Sequence, residues 1–233
     1  MENGTTEKNA IVDDIARLWD CTDRAERDAI AREMTVMRFK KDELIYREGN
    51  TPCHMLFLVS GKAKIIKECG VGRAQIVRAV KRQTFLGYRA FFANESYTTS
   101  AMAFEDSVVA ALPFTTVTAL MAHNCHIAQY FIGELSAVLG FTDSRIVSLT
   151  QKHIRGRLAE TILDLKKSYG IGPDRQTLNI TMNRDDLASL SNMSTSNAIR
   201  TLSSFAQDGL LVVEGKKIKI LDEERLTRVS DLG

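Results

Sequence analysis

Residues 183–220 read NRDDLASLSNMSTSNAIRTLSSFAQDGLLVVEGKKIKI, and this stretch decides the fold. Asn183 stands where an N-cap is wanted, and Asp186 falls at the third helical position, where an acid suits the positive end of the helix dipole. The helix so opened is short and runs to about Ser191. Asn192-Met193-Ser194 breaks it, and Ser194 caps a second helix ending at Asp208-Gly209, where glycine is the expected terminator. Leu210 to Val213 and Ile218 to Ile220 then read as two strands around a Glu214-Gly215 turn. Helix, tight turn, helix and hairpin, in that order, spell a winged helix-turn-helix.

Upstream, Ile154 to Leu165 has amphipathic helical spacing, Gly170 to Pro173 is a loop, and Leu178 to Thr181 is expected as a short strand. Before them Ile127, Phe131, Leu135, Val138, Leu139, Thr142, Ile146 and Leu149 step by threes and fours along one long helical pattern that follows Pro113. So apolar a helix buries one face on its own domain and the other on a second helix, most simply that of a symmetric partner. Between Met37 and Leu112 the apolar runs are short: 44–46, 55–59, 63–66, 75–80 and 108–112. Gly49 to Pro52, Ser60-Gly61 and Gly70 to Gly72 divide them, the pattern of an antiparallel sandwich or barrel. The segment up to Val36 is helical, with Ile11, Ile15, Leu18, Trp19, Ile30 and Met34 at helical spacing and a second helix start near Thr22.

The chain has 233 residues, 44% hydrophobic and 26% charged, ordinary globular composition with a net charge of +2. The charge is uneven. Residues 150–220 carry 11 Lys and Arg against 7 Asp and Glu, a mildly basic region that suits a nucleic-acid surface. Cys21, Cys53, Cys69 and Cys125 form no close pairs and read as reduced thiols. The N-terminus lacks a signal-peptide pattern, and no apolar run is long enough to span a membrane, so a cytoplasmic protein is expected. No P-loop, Gly-x-Ser-x-Gly or His-Glu-x-x-His occurs, and His54 stands alone where a cupin would need a His-x-His cluster, so no enzyme is expected.

The order of these parts resembles the Crp/Fnr family of bacterial transcription regulators from roughly Phe39 to Ile220. The most specific stretches are Leu44-Ile45-Tyr46-Arg47-Glu48-Gly49 with Phe57-Leu58-Val59-Ser60-Gly61-Lys62, then Gly156 to Leu163, then Met193 to Leu202. The resemblance implies an α+β chain. An N-terminal double-stranded, jelly-roll-like β-roll senses an effector (1–118), a long helix and hinge dimerise (119–152), and a winged helix-turn-helix binds DNA (153–233). Its partners would be double-stranded DNA, a second copy in a homodimer, RNA polymerase if it activates, and a small-molecule effector.

A recognition helix needs a capped N-terminus, a polar outer face and an apolar rear face. Thr195, Ser196, Asn197 and Arg200 supply the polar face, and Ala198, Ile199, Leu202 and Phe205 the expected anchor. Arg200 suits a guanine edge, because a guanidinium bonds O6 and N7 together. Asn183, Arg184 and Ser194 sit where phosphate contacts would set register. The family commonly has arginine and glutamate where Thr195 and Ser196 stand, so its usual operator is not implied.

In cyclic-AMP-binding members a Gly-Glu pair holds the ribose and an Arg-Ser pair the cyclic phosphate. The matching positions here are Gly87, Tyr88, Thr99 and Ser100, with Arg89 beside the glutamate slot and Thr142 at a position that contacts adenine. A phosphate without its cation loses a charge-assisted bond worth about 1.5–3 kcal/mol. The effector expected is therefore not cyclic AMP. A pocket filled by Tyr88, Phe91, Phe92 and Tyr97 is one alternative, and haem on His54, His123, His126 or His153 another. An iron–sulfur cluster is disfavoured by a lone N-terminal Cys21, and zinc on His123, Cys125 and His126 lacks a fourth ligand. The cofactor stays unknown.

Overall fold

The computed structural model describes residues 2–20, 23–70 and 73–232. They form two compact units, residues 1–67 with 78–140 and residues 68–77 with 141–233.

The first unit opens with helices α1 (Glu2–Trp19) and α2 (Arg24–Glu33). Thr22, the expected start of α2, lies outside the described residues, and the cap is Asp23, whose carboxylate accepts from the Ala25 amide at 3.0 Å. Strands β1 (Thr35–Phe39), β2 (Leu44–Tyr46), β3 (His54–Ser60), β4 (Ala63–Cys69), β5 (Arg73–Val80), β6 (Thr84–Leu86), β7 (Ser100–Ala103) and β8 (Ser107–Pro113) follow, with α3 (Tyr88–Phe92) after β6. They pair antiparallel in two sheets, ordered β1-β8-β3-β6 and β2-β7-β4-β5. All five runs marked by the sequence become strands. The sheet region is expected from Met37, but β1 starts two residues earlier, at Thr35, so the helical segment read to Val36 ends before it. Strands β6 and β7 are three and four residues long, too short to show a period.

Strand β3 explains the packing. Successive side chains point to opposite faces of a sheet, and here both faces are covered. Met55 and Phe57 go to one core with Phe85, Ala110 and Leu112, against Trp19, Ile30, Ile127 and Phe131 from the helices. Leu56 and Leu58 go to a second core between the sheets, with Ile65, Val80, Leu86, Ala101 and Val109. Trp19 is fully buried and stacks on Phe85 at 4.9 Å between centroids. Burying a large apolar side chain contributes about 1.5–3 kcal/mol, so this aromatic centre ties the helices to the sheet.

The helical pattern after Pro113 forms two helices, α4 (Phe114–His123) and α5 (Cys125–Gln151), parted by Asn124 in an extended conformation. His123 therefore ends α4 and does not share the long helix with His126. Ile127 and Phe131 are buried as expected, whereas Ile132 (63%), Leu139 (62%), Ile146 (56%) and Val147 (58%) stand exposed in the single chain. No helix among the described residues is long and apolar enough to cross a membrane.

The second unit carries α6 (Ile154–Tyr169), α7 (Arg184–Leu190), α8 (Thr195–Gln207), the wing β9 (Leu211–Glu214) and β10 (Lys217–Ile220), and α9 (Glu223–Leu232). Helix α6 packs on α8 and α9. Leu158, Ile162, Ala198, Leu202, Phe205, Leu211, Ile218 and Leu226 are buried. The expected strand at Leu178–Thr181 does not form. Isolated bridges, Ile171 to Leu178 and Thr177 to Lys219, replace it, because the chain turns too soon for a ladder. Helix α9 buries Leu226 but leaves Leu232 exposed, and its three apolar residues, Leu226, Val229 and Leu232, are too few to mark a period in the sequence.

Candidate nucleic-acid interface and sensor pocket

The helix-turn-helix is closed by caps. Asn183 Oδ1 accepts from the Asp186 amide at 2.6 Å, and Ser194 Oγ from the Asn197 amide at 3.3 Å. The turn between them passes through Asn192 at φ +50°, a left-handed conformation that asparagine tolerates. Arg157 of α6 holds this turn. Its guanidinium donates to the carbonyls of Ser191 (3.2 Å), Asn192 (3.1 Å) and Lys152 (3.2 Å). A five-donor fork suits three carbonyls at once. Nothing local in the sequence marks this role for Arg157, since the Ser191 and Asn192 carbonyls lie 34 and 35 positions away.

Helix α8 turns Ala198, Leu202 and Phe205 inward, all buried. Ile199, expected in that anchor, is 46% exposed instead. The buried positions are spaced 198, 202, 205, and one residue further along rotates a side chain about 100° off that stripe. Ser196, Arg200 and Ser203 are exposed with it. Thr195 Oγ1 donates to Asp185 Oδ1 at 2.6 Å, and Arg200 Nη2 donates to Asn197 Oδ1 at 2.7 Å. Asn183 and Ser194 are exposed and Arg184 half-buried at the two capped ends. All seven residues expected at the DNA surface thus lie on α7, α8 and their caps.

Beside α8 an open groove of about 500 Å³ is lined by His153, Ile154, Arg155, Asn197, Arg200, Thr201 and Ser204. Arg155 lies over the Phe205 ring at 4.7 Å, donates to Ser204 Oγ at 2.5 Å and pairs with Asp208. On α6, Glu160 accepts from Ser148 and from Lys152 at 2.8 Å. Burial there lowers the pKa of Arg145 and raises that of Asp164, which also faces the Glu160 carboxylate.

In the first unit Gly87 caps α3 at φ +85°, and a Cβ on it would lie 3.0 Å from the Tyr97 hydroxyl. Tyr97 is buried and stacks on Tyr46 at 4.1 Å. Its phenol pKa is pushed up to about 12, first by desolvation and then by Tyr46. Tyr88 turns into the core against Phe131, at 5.3 Å, and hydrogen-bonds Arg78. Arg89 does not turn inward; it stays half exposed on Thr98 Oγ1 (2.5 Å) and Glu95 (2.7 Å). Ser100 Oγ is buried and accepts the Glu48 amide at 2.9 Å, and Thr99 hydrogen-bonds Tyr46. Thr142, the sixth expected effector residue, belongs to the second unit, exposed on α5. The first five depart from the cyclic-AMP pattern at Tyr88 and Thr99. The Arg89 guanidinium is engaged by Thr98 and Glu95, and the Tyr97 ring lies against Gly87.

The four histidines are exposed. His123, Cys125 and His126 border an open cleft of about 620 Å³ with Asp20, Asp23 and Glu26, and His126 Nε2 lies 3.9 Å from Asp20. Among the described residues, no three of His, Cys, Asp or Glu are placed to hold a metal ion.

A sandwich of two four-stranded sheets, a 27-residue helix and a capped winged helix-turn-helix define a DNA-binding transcription regulator. Residues 36–124 match the cyclic nucleotide-binding domain, and residues 156–229 the Crp-like helix-turn-helix domain. The chain belongs to the Crp/Fnr family. It is 24% identical over 203 residues to a CRP-like cAMP-activated global transcriptional regulator of Mycobacterium tuberculosis, covering 86% of this chain and 90% of that protein. It is also 24% identical to the fumarate and nitrate reduction regulatory protein of Escherichia coli, over 82% of this chain and 76% of that one. Among solved structures, FixK2 of Bradyrhizobium japonicum shares the fold with a TM-score of 0.74 at 19% identity, over 84% of this chain and 96% of that one.

Proposed function

We propose that this regulator acts as a homodimer joined along α5, presenting two α8 helices to half-sites about one DNA turn apart. The capped α8, with a polar outer face and a rear face wholly buried, carries the reading. The exposed row Ile132, Leu139, Ile146 and Val147 supports pairing, since a contiguous apolar helix face is stable only when covered. Asn183, Arg184 and Ser194 hold phosphates and set register, while Thr195, Ser196, Asn197 and Arg200 face the bases, Arg200 taking a guanine. The functional division follows residues 1–118, 119–152 and 153–233. The chain acts inside the cell, where the chromosome is, and meets RNA polymerase where its operator lies upstream of a promoter.

The sensor answers to an effector other than cyclic AMP, with Gly87, Tyr88, Arg89, Thr99 and Ser100 as the candidate residues of the first unit. Tyr97 against Gly87 favours a second reading, a filled pocket and a dimer that binds DNA without an effector. Selection of bound duplexes from random DNA tests the first proposal: a palindrome with half-sites one turn apart is expected, and no enrichment overturns it. A thermal-shift screen with cyclic nucleotides and small organic acids separates the two readings of the pocket, because a ligand of the native state raises the midpoint.

A further inference from the structure

Four side chains of α8, Thr195, Ser196, Asn197 and Arg200, are candidates for the bases, and their hydrogen bonds sort them. The Thr195 hydroxyl proton is committed to Asp185, and the Asn197 amide oxygen to Arg200. Ser196 and Ser203 are exposed, but a hydroxyl both donates and accepts and discriminates weakly among base edges. The Arg200 guanidinium spends one of its five N–H donors on Asn197 and keeps the others for a guanine edge, and Ile199 beside it is a large apolar side chain left exposed. A single exposed apolar residue is ordinary on a soluble surface. Ile199 differs in its place: it precedes Arg200 directly, follows Ser196 by one turn, and is 46% exposed on a helix whose other large apolar residues, Leu202 and Phe205, are buried. The major groove offers one apolar group on a base edge, the C5-methyl of thymine.

We infer that Ile199 is a specificity residue that packs on a thymine methyl within a base pair or two of the guanine taken by Arg200. The inference rests on the reading of α8 as the groove helix. Covering one methyl is worth about 0.8 kcal/mol, which converts to about fourfold in affinity.

The full-length protein is first used to select its site from random duplex DNA. The thymine nearest the Arg200 guanine is then replaced by deoxyuridine, which removes only the methyl, and binding is followed by fluorescence anisotropy at fixed salt. The wild type is expected to bind the deoxyuridine duplex about fourfold more weakly. Ile199→Ser, a substitution at an exposed position whose folding is checked by its thermal midpoint, is expected to bind both duplexes at the weaker level. Equal wild-type affinity for the two duplexes, or discrimination retained in Ile199→Ser, overturns the inference while leaving DNA binding intact. A selection that enriches no sequence overturns the groove reading of α8 and the inference with it.

Discussion

Arg157 connects α6 to the turn that separates α7 from α8, and three carbonyls depend on it. Arg157→Ala leaves those carbonyls partly unsatisfied, at a cost of about 1–3 kcal/mol. A lower thermal midpoint is expected, with weaker DNA binding on all sequences alike, read by anisotropy on matched and scrambled duplexes. Arg200→Ala acts differently. It is expected to cost about 1–3 kcal/mol of discrimination at one base pair while non-specific binding is largely kept. Uniform weakening would place Arg200 on phosphate instead. Asp174 carries a pH signature. The Thr177 hydroxyl at 2.6 Å and amide at 2.9 Å, with the Gln176 amide, hold its carboxyl down to about 2. A lowered carboxyl pKa stabilises the fold above the ordinary value near 4 and ceases to do so as pH falls through about 2. Asp174→Asn should therefore destabilise at pH 6, and the gap to wild type should close on acidification to pH 2, as followed by urea melts.

At the level of elements, strand β3 and its turn show why the sheet keeps its register. Gly61 sits at φ +84°, where a Cβ would come 2.3 Å from Ser107 Oγ and 2.6 Å from the Asp106 carbonyl. Gly61→Ala combines left-handed strain with a backbone clash and is expected to cost more than ~1 kcal/mol, lowering the thermal midpoint of the β-roll. The Ser60-Gly61 turn and the runs on either side of it were legible in the sequence because positive φ and apolar runs are local properties. Strands β6 and β7 were not, since three or four residues set no period. Ile199 was misplaced for a related reason: a helical pattern fixes a face only to within about one residue, and α8 has apolar residues at both 198 and 199. Asn124 likewise parts α4 from α5 without proline or glycine to announce it.

For the whole molecule, the exposed side of α5 is where the proposed second copy packs. Leu139→Glu with Ile146→Glu places two charges where the second copy is proposed to pack. The double variant is expected to sediment as a monomer, with palindromic-duplex affinity reduced at least tenfold and circular dichroism unchanged. A variant that stays dimeric would move the interface elsewhere. The long apolar helix was readable from spacing alone, and so was its excess of apolar surface over what one chain can cover. The pocket was only half legible. Gly87, Tyr88, Thr99 and Ser100 could be set against the cyclic-AMP pattern, but the fates of Tyr88 and Arg89 depend on neighbours remote in sequence, Phe131 for one and the Thr98–Glu95 pair for the other.

The sequence by itself determined the kinds of element, their order, both caps of the helix-turn-helix and the family, because periodicity, capping and turn chemistry act over a few residues. Only the tertiary structure decided which polar groups stay available to a ligand: Thr195 is taken by Asp185 ten positions away, the turn is held by Arg157, and Tyr97 lies against Gly87. A side chain's free hydrogen-bonding capacity is what remains after its spatial neighbours are satisfied, and those neighbours are brought together by folding.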